Sequence, residues 1–255
     1  PAGVLILMRN TVVVVTGASA GIGAALAELL AAQKASVGII ARRDDALRAV
    51  AERCEGHAHA IVADVTRRDE VRRAVTDVLD RFGHIDVWVN NAGQGISRMP
   101  SELTDEDVDD MVRINIKSVL YGTQEVLPHF KARRRGHVIN VSSMLGRLPY
   151  VTIRAAYSGA KHYVNALTAS FRAEVQETHP DIQFSLVSPG VVRTEFGVNA
   201  KHGGPDSRQL PQSQSAEQVA AVIAGVIASR RPDVYTSPGS RERVLEYYSS
   251  TGENP

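Results

Sequence analysis

The feature that most constrains the fold is a regular alternation of short β-branched runs with longer amphipathic stretches. The runs predict strands at 12–16, 36–41, 59–62, 86–89, 137–141, 183–187 and 233–236. The stretches, whose apolar residues recur at intervals of three and four, predict helices at 21–33, 45–55, 69–82, 104–131, 156–177 and 215–229. Strands joined by helices run parallel through right-handed crossovers, with helices on both faces. We therefore predict an α/β protein with a doubly wound (Rossmann-like), mostly parallel seven-stranded sheet.

Length, charge and cysteine content narrow the function classes. The 255 residues contain no repeat or low-complexity linker, which predicts a single domain spanning 1–255. Basic residues number 29 and acidic residues 28, a balance that gives no indication of nucleic-acid binding. Cys54 is the only cysteine, which favours a reducing, cytoplasmic location. The apolar segment 4–8 is too short to span a membrane, and His57 and His59 lack the partners of a metal site, so we expect neither.

The segment 195–214 interrupts the alternation. It contains two adjacent glycines, two prolines and many polar residues, so we expect a lid over a substrate pocket. Its composition fits many medium-sized apolar compounds and so does not identify the substrate. The expected pocket-lining residues, in the lid and outside it, are Phe196, Val198, His202, Leu210, Gln94, Tyr150 and Val151.

A glycine-rich turn joins the first predicted strand to the first predicted helix. Gly17, Gly21 and Gly23 allow a sharp turn, a close approach of backbone to a pyrophosphate, and tight contact between helix and strand. The unpaired N–H groups and the positive dipole end of the helix then attract phosphate. The position of the turn between a buried strand and a helix predicts a dinucleotide site.

The end of the second predicted strand indicates which dinucleotide binds. NAD-specific folds place an acidic residue there to hold the ribose hydroxyls. In this chain the strand ends at Ala41 and is followed by Arg42 and Arg43. A guanidinium can form paired hydrogen bonds with a 2′-phosphate, and no carboxylate is present to repel it. The sequence therefore favours NADP(H).

Two side chains with acid–base potential stand at the start of a predicted helix. Tyr157 and Lys161 are four positions apart and therefore share one face. An ordinary phenol pKa of about 10 makes a poor base at neutral pH. A neighbouring ammonium and a positive nicotinamide both favour the phenolate, which predicts a lowered pKa for Tyr157. Ser142 and Ser143 close the fifth strand, where a hydroxyl can hydrogen-bond a substrate oxygen.

The spacing of these motifs resembles the short-chain dehydrogenase/reductase family. The matching elements are G-x-x-x-G-x-G at 17–23, N-N-A-G at 90–93, Y-x-x-x-K at 157–161 and P-G-x-V-x-T at 189–194. The resemblance covers residues 12–236 and implies hydride transfer between NADP(H) and a carbonyl or alcohol. NADP-preferring relatives carry a basic residue at the position of Arg42; many also carry one where this chain has Ala20.

The resemblance also assigns residues to the cofactor. Asp64 would contact the adenine through its carboxylate, and Val65 through its backbone amide. The backbone of Val192 and the hydroxyl of Thr194 would hold the nicotinamide carboxamide, while Lys161 would hold the adjacent ribose. The complete implied set, including the two arginines, is Gly17, Ser19, Gly21, Ile22, Gly23, Arg42, Arg43, Asp64, Val65, Asn91, Ala92, Gly93, Tyr157, Lys161, Pro189, Gly190, Val192 and Thr194.

A catalytic set of Asn115, Ser143, Tyr157 and Lys161 is implied in the same way. Ser143 and Tyr157 would bind the substrate oxygen, and Tyr157 would donate the proton. Asn115 would distort its helix and hold, through its side chain, a water that relays protons to Lys161. The family serine lies thirteen positions before the tyrosine, whereas Ser143 lies fourteen before Tyr157. We assume one extra residue in the loop 146–155, and Ser142 is the alternative.

Two further function classes share this fold. A non-catalytic sensor that binds NADP(H) would not need tyrosine and lysine at this spacing. A sugar-nucleotide epimerase or dehydratase would need a larger C-terminal substrate domain than the residues after Thr194 provide. The leading hypothesis is therefore a carbonyl reductase or alcohol dehydrogenase, expected as a homodimer or homotetramer.

Overall fold

Seven parallel strands form one sheet in the computed structural model, which describes residues 8–251. The strand order is β3-β2-β1-β4-β5-β6-β7. The strands are β1 Val12–Thr16, β2 Ser36–Ala41, β3 Ala58–Val62, β4 Val87–Asn90, β5 Gly136–Val141, β6 Ile182–Ser188 and β7 Asp233–Tyr235. Because the order reverses between β1 and β4, the prediction of a doubly wound parallel sheet is confirmed.

Helices cover both faces of this sheet. They are α1 Gly21–Ala32, α2 Asp44–Arg53, α3 Arg68–Phe82, α4 Asp105–Met111, α5 Ser118–Arg133, α6 Ala155–Gln176, α7 Ala216–Ser229 and α8 Ser240–Ser249. The side chains of β1 alternate between two cores: Val13 and Val15 pack toward α1, α2 and α7, and Val12 and Val14 pack toward α3, α5 and α6. A central strand buried on both faces explains why the β1 sequence is continuously apolar.

The helix ends follow local sequence signals. Ser215 caps α7: its hydroxyl accepts from the Gln218 backbone at 3.2 Å, and the Gln218 side chain accepts from the Ser215 backbone at 2.8 Å. Thr104 and Asp107 form the equivalent capping box at the start of α4. Gly83 ends α3 in the left-handed conformation with φ of 80°.

One predicted helix is divided in the structure, and one helix of the structure was not predicted. The single helix predicted at 104–131 is divided into α4, a π-helical segment Val112–Lys117, and α5, which ends at Arg133. The helix α8 was not predicted. Only Ser240 and Val244 of α8 are buried, so its sequence lacks the repeated apolar positions that reveal the other helices.

The segment 195–214, predicted as a lid, is fixed to the body of the protein at both ends and in the middle. Isolated bridges pair Lys201 with Ile96 and Gln214 with Val192. Asp107 of α4 is almost fully buried. Its Oδ1 lies 3.1 Å from the Lys201 Nζ and 2.8 Å from the His202 Nε2. These contacts outweigh the cost of burying Asp107 and hold the pKa of its carboxyl well below the usual range.

Residues 8–251 contain neither a helix able to span a membrane nor a metal-binding cluster. None of the helices there combines the length and the apolar character needed to cross a bilayer. The same residues contain no group of three histidine, cysteine or acidic side chains that could hold a metal ion. The apolar segment 4–8 lies, apart from Met8, outside the described residues.

Candidate active site

A cleft of about 1040 Å³ opens at the carboxyl ends of the strands, across the point where the strand order reverses. It is lined by most of the residues predicted to bind cofactor or substrate. Those are Gly17, Ser19, Gly21, Ile22, Arg42, Arg43, Asp64, Val65, Asn91, Ala92, Gly93, Ser143, Tyr157, Lys161, Pro189, Gly190, Val192 and Thr194. Gly23 and Asn115 are the two predicted site residues that do not line it.

The glycine turn leaves no room for larger residues. Gly17 has φ of 67°, and a Cβ there would lie 2.8 Å from the Ala92 Cα. A Cβ on Gly23 would lie 2.5 Å from the carbonyl oxygen of Gly17. Gly23 therefore packs beneath the turn and supports it, while Gly21, with φ of 56°, faces Thr194 across the cleft.

The asparagine-rich end of β4 braces this turn. Asn91 Nδ2 donates to the Thr16 carbonyl at 2.9 Å, and the Thr16 hydroxyl accepts from the Ala92 backbone at 3.1 Å. Asn90 turns the other way and donates to Asn140 Oδ1 at 2.8 Å inside the sheet. The N-N-A-G motif thus holds β4 against the end of β1.

Arg42 and Arg43 are exposed at the mouth of the cleft. Arg43 donates to the Ser19 hydroxyl at 3.2 Å, which brings the loop after β2 against the glycine turn. One carboxylate oxygen of Asp64 accepts from the backbone and hydroxyl of Thr66 at 2.9 and 2.8 Å. Burial raises the pKa of Asp64, but the Thr66 hydrogen bonds and the Arg42 charge outweigh it, so the pKa is lowered and the carboxylate is kept charged.

The two serines at the end of β5 are used differently. Ser142 is buried, and its hydroxyl donates to Asn165 Oδ1 at 2.5 Å. Ser143 lines the cleft, accepts from the Leu145 backbone at 3.1 Å, and lowers the pKa of Tyr157 against the larger effect of burial. The interval of fourteen positions is absorbed by two short 3-10 turns, Met144–Gly146 and Thr152–Arg154. The geometry therefore favours Ser143 over Ser142 as the serine that faces the tyrosine.

Tyr157 and Lys161 lie together in the first turns of α6, on its cleft-facing side. Their exposed fractions are only 7% and 3%. The Lys161 ammonium lies 5.6 Å from the centre of the Tyr157 ring and donates to the Val141 carbonyl at 2.9 Å. The structure thus brings a phenol, a hydroxyl and an ammonium to one desolvated corner of the cleft.

Sequence comparison identifies the family to which this arrangement belongs. The profile of the family described as short chain dehydrogenase matches residues 11–203. The chain belongs to the short-chain dehydrogenase family. An uncharacterized oxidoreductase of Staphylococcus epidermidis is 36% identical over 212 residues, which make up 83% of this chain and 90% of that protein.

Solved structures of short-chain dehydrogenases share the fold. One from Burkholderia phymatum, in complex with NAD, has a TM-score of 0.86 at 22% identity and covers 98% of both chains. An alcohol dehydrogenase from the archaeon Thermococcus sibiricus, complexed with 5-hydroxy-NADP, has a TM-score of 0.77 at 27% identity. That alignment covers 88% of this chain and 95% of the archaeal one.

Burial dominates the acid–base state of Tyr157 in this short-chain dehydrogenase. Burial raises the pKa of Tyr157 to about 12, against the lowering effects of the Ser143 hydrogen bond and the Arg154 charge. Burial likewise lowers the pKa of Lys161 to about 8. In the chain alone, desolvation therefore outweighs any lowering of the phenol pKa by Lys161, which is directed at a backbone carbonyl; the lowering expected with a bound nicotinamide stays a prediction.

Asn115 is fully buried in the π-helical segment, so the helix is distorted where the resemblance implies it. Its amide donates to the Gln94 carbonyl at 3.0 Å, and its oxygen accepts from the Gln94 backbone at 3.1 Å. The implied role of the side chain in holding a water stays a prediction. Asn115 ties the helix to the loop after β4, beside Gly93 and Lys161.

Sequence reasoning missed several residues of this short-chain dehydrogenase's cleft, Arg154 and Asn199 among them. Arg154 ends the loop before α6, and a lone arginine in a loop gives no signal of burial. Five of the seven expected pocket residues line the cleft: Gln94, Tyr150, Val151, Phe196 and Leu210. Val198 and His202 do not. His202 is directed at Asp107 instead.

Proposed function

We propose that this chain is an NADP(H)-dependent oxidoreductase that interconverts carbonyl and alcohol groups, with Tyr157 as the proton-transfer residue. The observation that carries the proposal is the desolvated corner where Tyr157, Ser143 and Lys161 meet at the floor of the cleft. A sensor that only bound a dinucleotide could use the ammonium to hold the ribose, but it would gain nothing from burying a phenol beside it, since burial of polar groups costs free energy.

The residues present fit a dinucleotide. Gly17 must be glycine, because a Cβ there would collide with its neighbours, and the turn therefore presents bare backbone to a ligand. The N-terminus of α1 follows directly. The turn and α1 would hold the pyrophosphate, Asp64 and Val65 the adenine, and Lys161 the ribose near the reacting centre. When bound, NADP(H) supplies or accepts the hydride.

The preference for NADP(H) rests on Arg42 and Arg43. Both are exposed at the mouth of the cleft, and the Arg43 bond to Ser19 places a guanidinium beside the phosphate-binding turn. That is where a 2′-phosphate would receive paired hydrogen bonds. Among the structures that share the fold, the Thermococcus sibiricus protein holds 5-hydroxy-NADP and the Burkholderia phymatum protein holds NAD.

Tyr157 and its neighbours perform the proton chemistry. With its pKa raised to about 12, Tyr157 is protonated at neutral pH and can donate its proton to a carbonyl oxygen as negative charge develops there. Ser143 stabilises the same oxygen by a hydrogen bond. Lys161 stabilises the phenolate that remains, because its ammonium lies 5.6 Å from the ring centre. Alcohol oxidation uses the same groups in reverse.

The segment 195–214 would serve as the lid of this pocket. The Phe196 ring meets the Tyr157 ring edge-on, with centroids 5.6 Å apart, and it is 38% exposed. An aromatic side chain in that position covers the phenol from the solvent side. Exclusion of water there strengthens the hydrogen bonds that Tyr157 and Ser143 offer to a substrate oxygen.

Nicotinamide absorbance measured over a panel of ketones, aldehydes and alcohols tests the proposal. Removing the phenol hydroxyl in Tyr157→Phe should lower kcat/KM about a hundred- to ten-thousandfold. The matched control is Tyr163→Phe, which alters an exposed tyrosine on the same helix that does not line the cleft. Full activity in Tyr157→Phe, or tight NADPH binding by the wild type without turnover of any compound, would refute the proposal.

A further inference from the structure

Arg154 is an unusual cation to find beside Tyr157. Its side chain is only 8% exposed, and it forms no ion pair with any residue between 8 and 251. One guanidinium nitrogen, Nη1, donates to the Ile96 carbonyl at 3.0 Å. Nε and Nη2 have no acceptor in that part of the chain, yet they are not sealed from solvent, and the residue lines the cleft.

Two glycines provide the space that this guanidinium occupies. A Cβ on Gly95 would lie 2.5 Å from Arg154 Nη1, and a Cβ on Gly204 would lie 2.8 Å from Nη2. Gly95 belongs to the loop after β4, and Gly204 belongs to the segment 195–214. Backbone on both sides therefore confines the guanidinium of Arg154, a residue that lines the cleft.

The charge of Arg154 is not neutralised by its surroundings. Burial lowers the pKa of Arg154, as expected for a cation removed from water without an anion to balance it. The lid carboxylate that lines the cleft, Glu195, is 57% exposed and lies 3.6 Å from Arg208. Arg208 itself forms a double hydrogen bond with Asp206. A substrate anion would thus meet one unneutralised guanidinium at this end of the cleft.

We infer that Arg154 binds a carboxylate on the substrate, so that the enzyme acts on oxo acids and the corresponding hydroxy acids. The geometry is that of a buried guanidinium with free donors three positions before the proton donor Tyr157. A carboxylate is flat and accepts two parallel N–H bonds from such a fork. Arg154 and Tyr157 line the same cleft, so a carboxylate held by Arg154 would belong to the molecule whose carbonyl meets Tyr157.

This inference rests on the proposed function and refines its substrate class. It predicts a consequence that a merely structural arginine would not have. The preference for an acid over its ester should depend on Arg154, whereas turnover of a neutral ketone should depend on it much less. A structural arginine that only held Ile96 and the lid would, when replaced, lower both activities by the same factor.

The test uses 2-, 3-, 4- and 5-oxohexanoate, their methyl esters and hexan-2-one as substrates with NADPH. For at least one oxohexanoate, wild-type kcat/KM should exceed that of the ester about ten- to a hundredfold, the range for a charge-assisted bond. Arg154→Gln should abolish that ratio mainly through KM, and Arg154→Lys should retain part of it. Esters equal to or better than acids in the wild type, or an unchanged ratio in Arg154→Gln, would overturn the inference.

Arg208→Gln is the matched control, because Arg208 lines the same cleft but is already neutralised by Asp206. The ratio of acid to ester should stay within about twofold in this variant. A loss of the ratio equal to that in Arg154→Gln would assign it to the general charge of the cleft and overturn the inference. Circular dichroism of Arg154→Gln and Arg154→Lys, compared with the wild type, checks that both variants are folded.

Calorimetric titration of the same oxohexanoates and esters separates this inference from the proposed function. Binding of an acid by the wild type, with loss in Arg154→Gln, supports the carboxylate site even where no compound is turned over. In that case the oxidoreductase proposal alone fails. Turnover of hexan-2-one without preferential binding of any acid would leave the oxidoreductase proposal standing and overturn the carboxylate site.

Discussion

The two sides of the cleft hold charge in opposite ways. On the open side, Arg42 and Arg43 follow β2 and remain exposed. On the buried side, Tyr157 and Lys161 begin α6 with exposed fractions below one tenth and strongly displaced pKa values. Exposed charges attract an anionic ligand at little cost in stability, whereas buried ones cost stability and gain reactivity. The comparison separates binding from chemistry within one cleft.

The largest effect is expected for Lys161→Met, which removes the buried charge while keeping much of the side-chain volume. Activity should fall at least a hundredfold, because the phenolate loses its stabilising cation. The free energy of unfolding should rise by about 1–2 kcal/mol, since each pKa unit of displacement represents about 1.4 kcal/mol and part is lost with the Val141 hydrogen bond. Chemical denaturation at neutral pH, together with kinetics, measures both changes.

The pH dependence of that stability difference provides its control. Because the pKa of Lys161 is lowered from 10.5 to about 8, the unfolded chain binds more protons between those values. The free energy of unfolding of the wild type should therefore increase relative to that of Lys161→Met as pH rises through this range. Lys131→Met, which alters an exposed lysine at the end of α5, should change neither activity nor stability appreciably. If Lys161→Met were less stable than the wild type at neutral pH, the claim that the buried charge costs stability would be contradicted.

A smaller effect is expected on the open side, where Arg42→Gln removes one exposed cation. The KM for NADPH should rise about ten- to a hundredfold, while the KM for NADH and the stability stay nearly constant. Arg48→Gln is the control, because Arg48 is exposed on α2 and pairs with Asp44 outside the cleft. Equal losses for both cofactors would mean that Arg42 does not recognise a 2′-phosphate.

The smallest effect is the response of the rates to pH. Carbonyl reduction should be constant below pH 8 and fall up to tenfold per unit above it, as Lys161 with its pKa of about 8 loses its proton. Alcohol oxidation should rise with pH instead, because the pKa of Tyr157 is raised to about 12 and the phenolate is the base. Lys161→Arg should move the fall in reduction to higher pH. Identical profiles in both directions would exclude these assignments.

The open side and the sheet were predictable from sequence because their signals are local. The β1 strand, the glycine turn and Arg42 are adjacent segments whose spacing alone places them together. The resemblance implied a distorted helix at Asn115, but the extent of the π-helical segment was not predictable, because it accompanies the contact of Asn115 with Gln94, twenty-one positions away. The displaced pKa of Tyr157 and the isolation of Arg154 depend on burial by the segment 195–214, which no short motif encodes.

The strand order has a consequence for how the two sides can change over time. Every residue of the open side precedes position 66, while Ser143, Arg154, Tyr157 and Lys161 all follow position 140. The crossover from β3 through α3 to β4 separates these stretches, and β1 and β4 pair at the boundary. Genetic exchange at a point within that crossover would transfer one set of residues as a unit, so each can diverge without rebuilding the other.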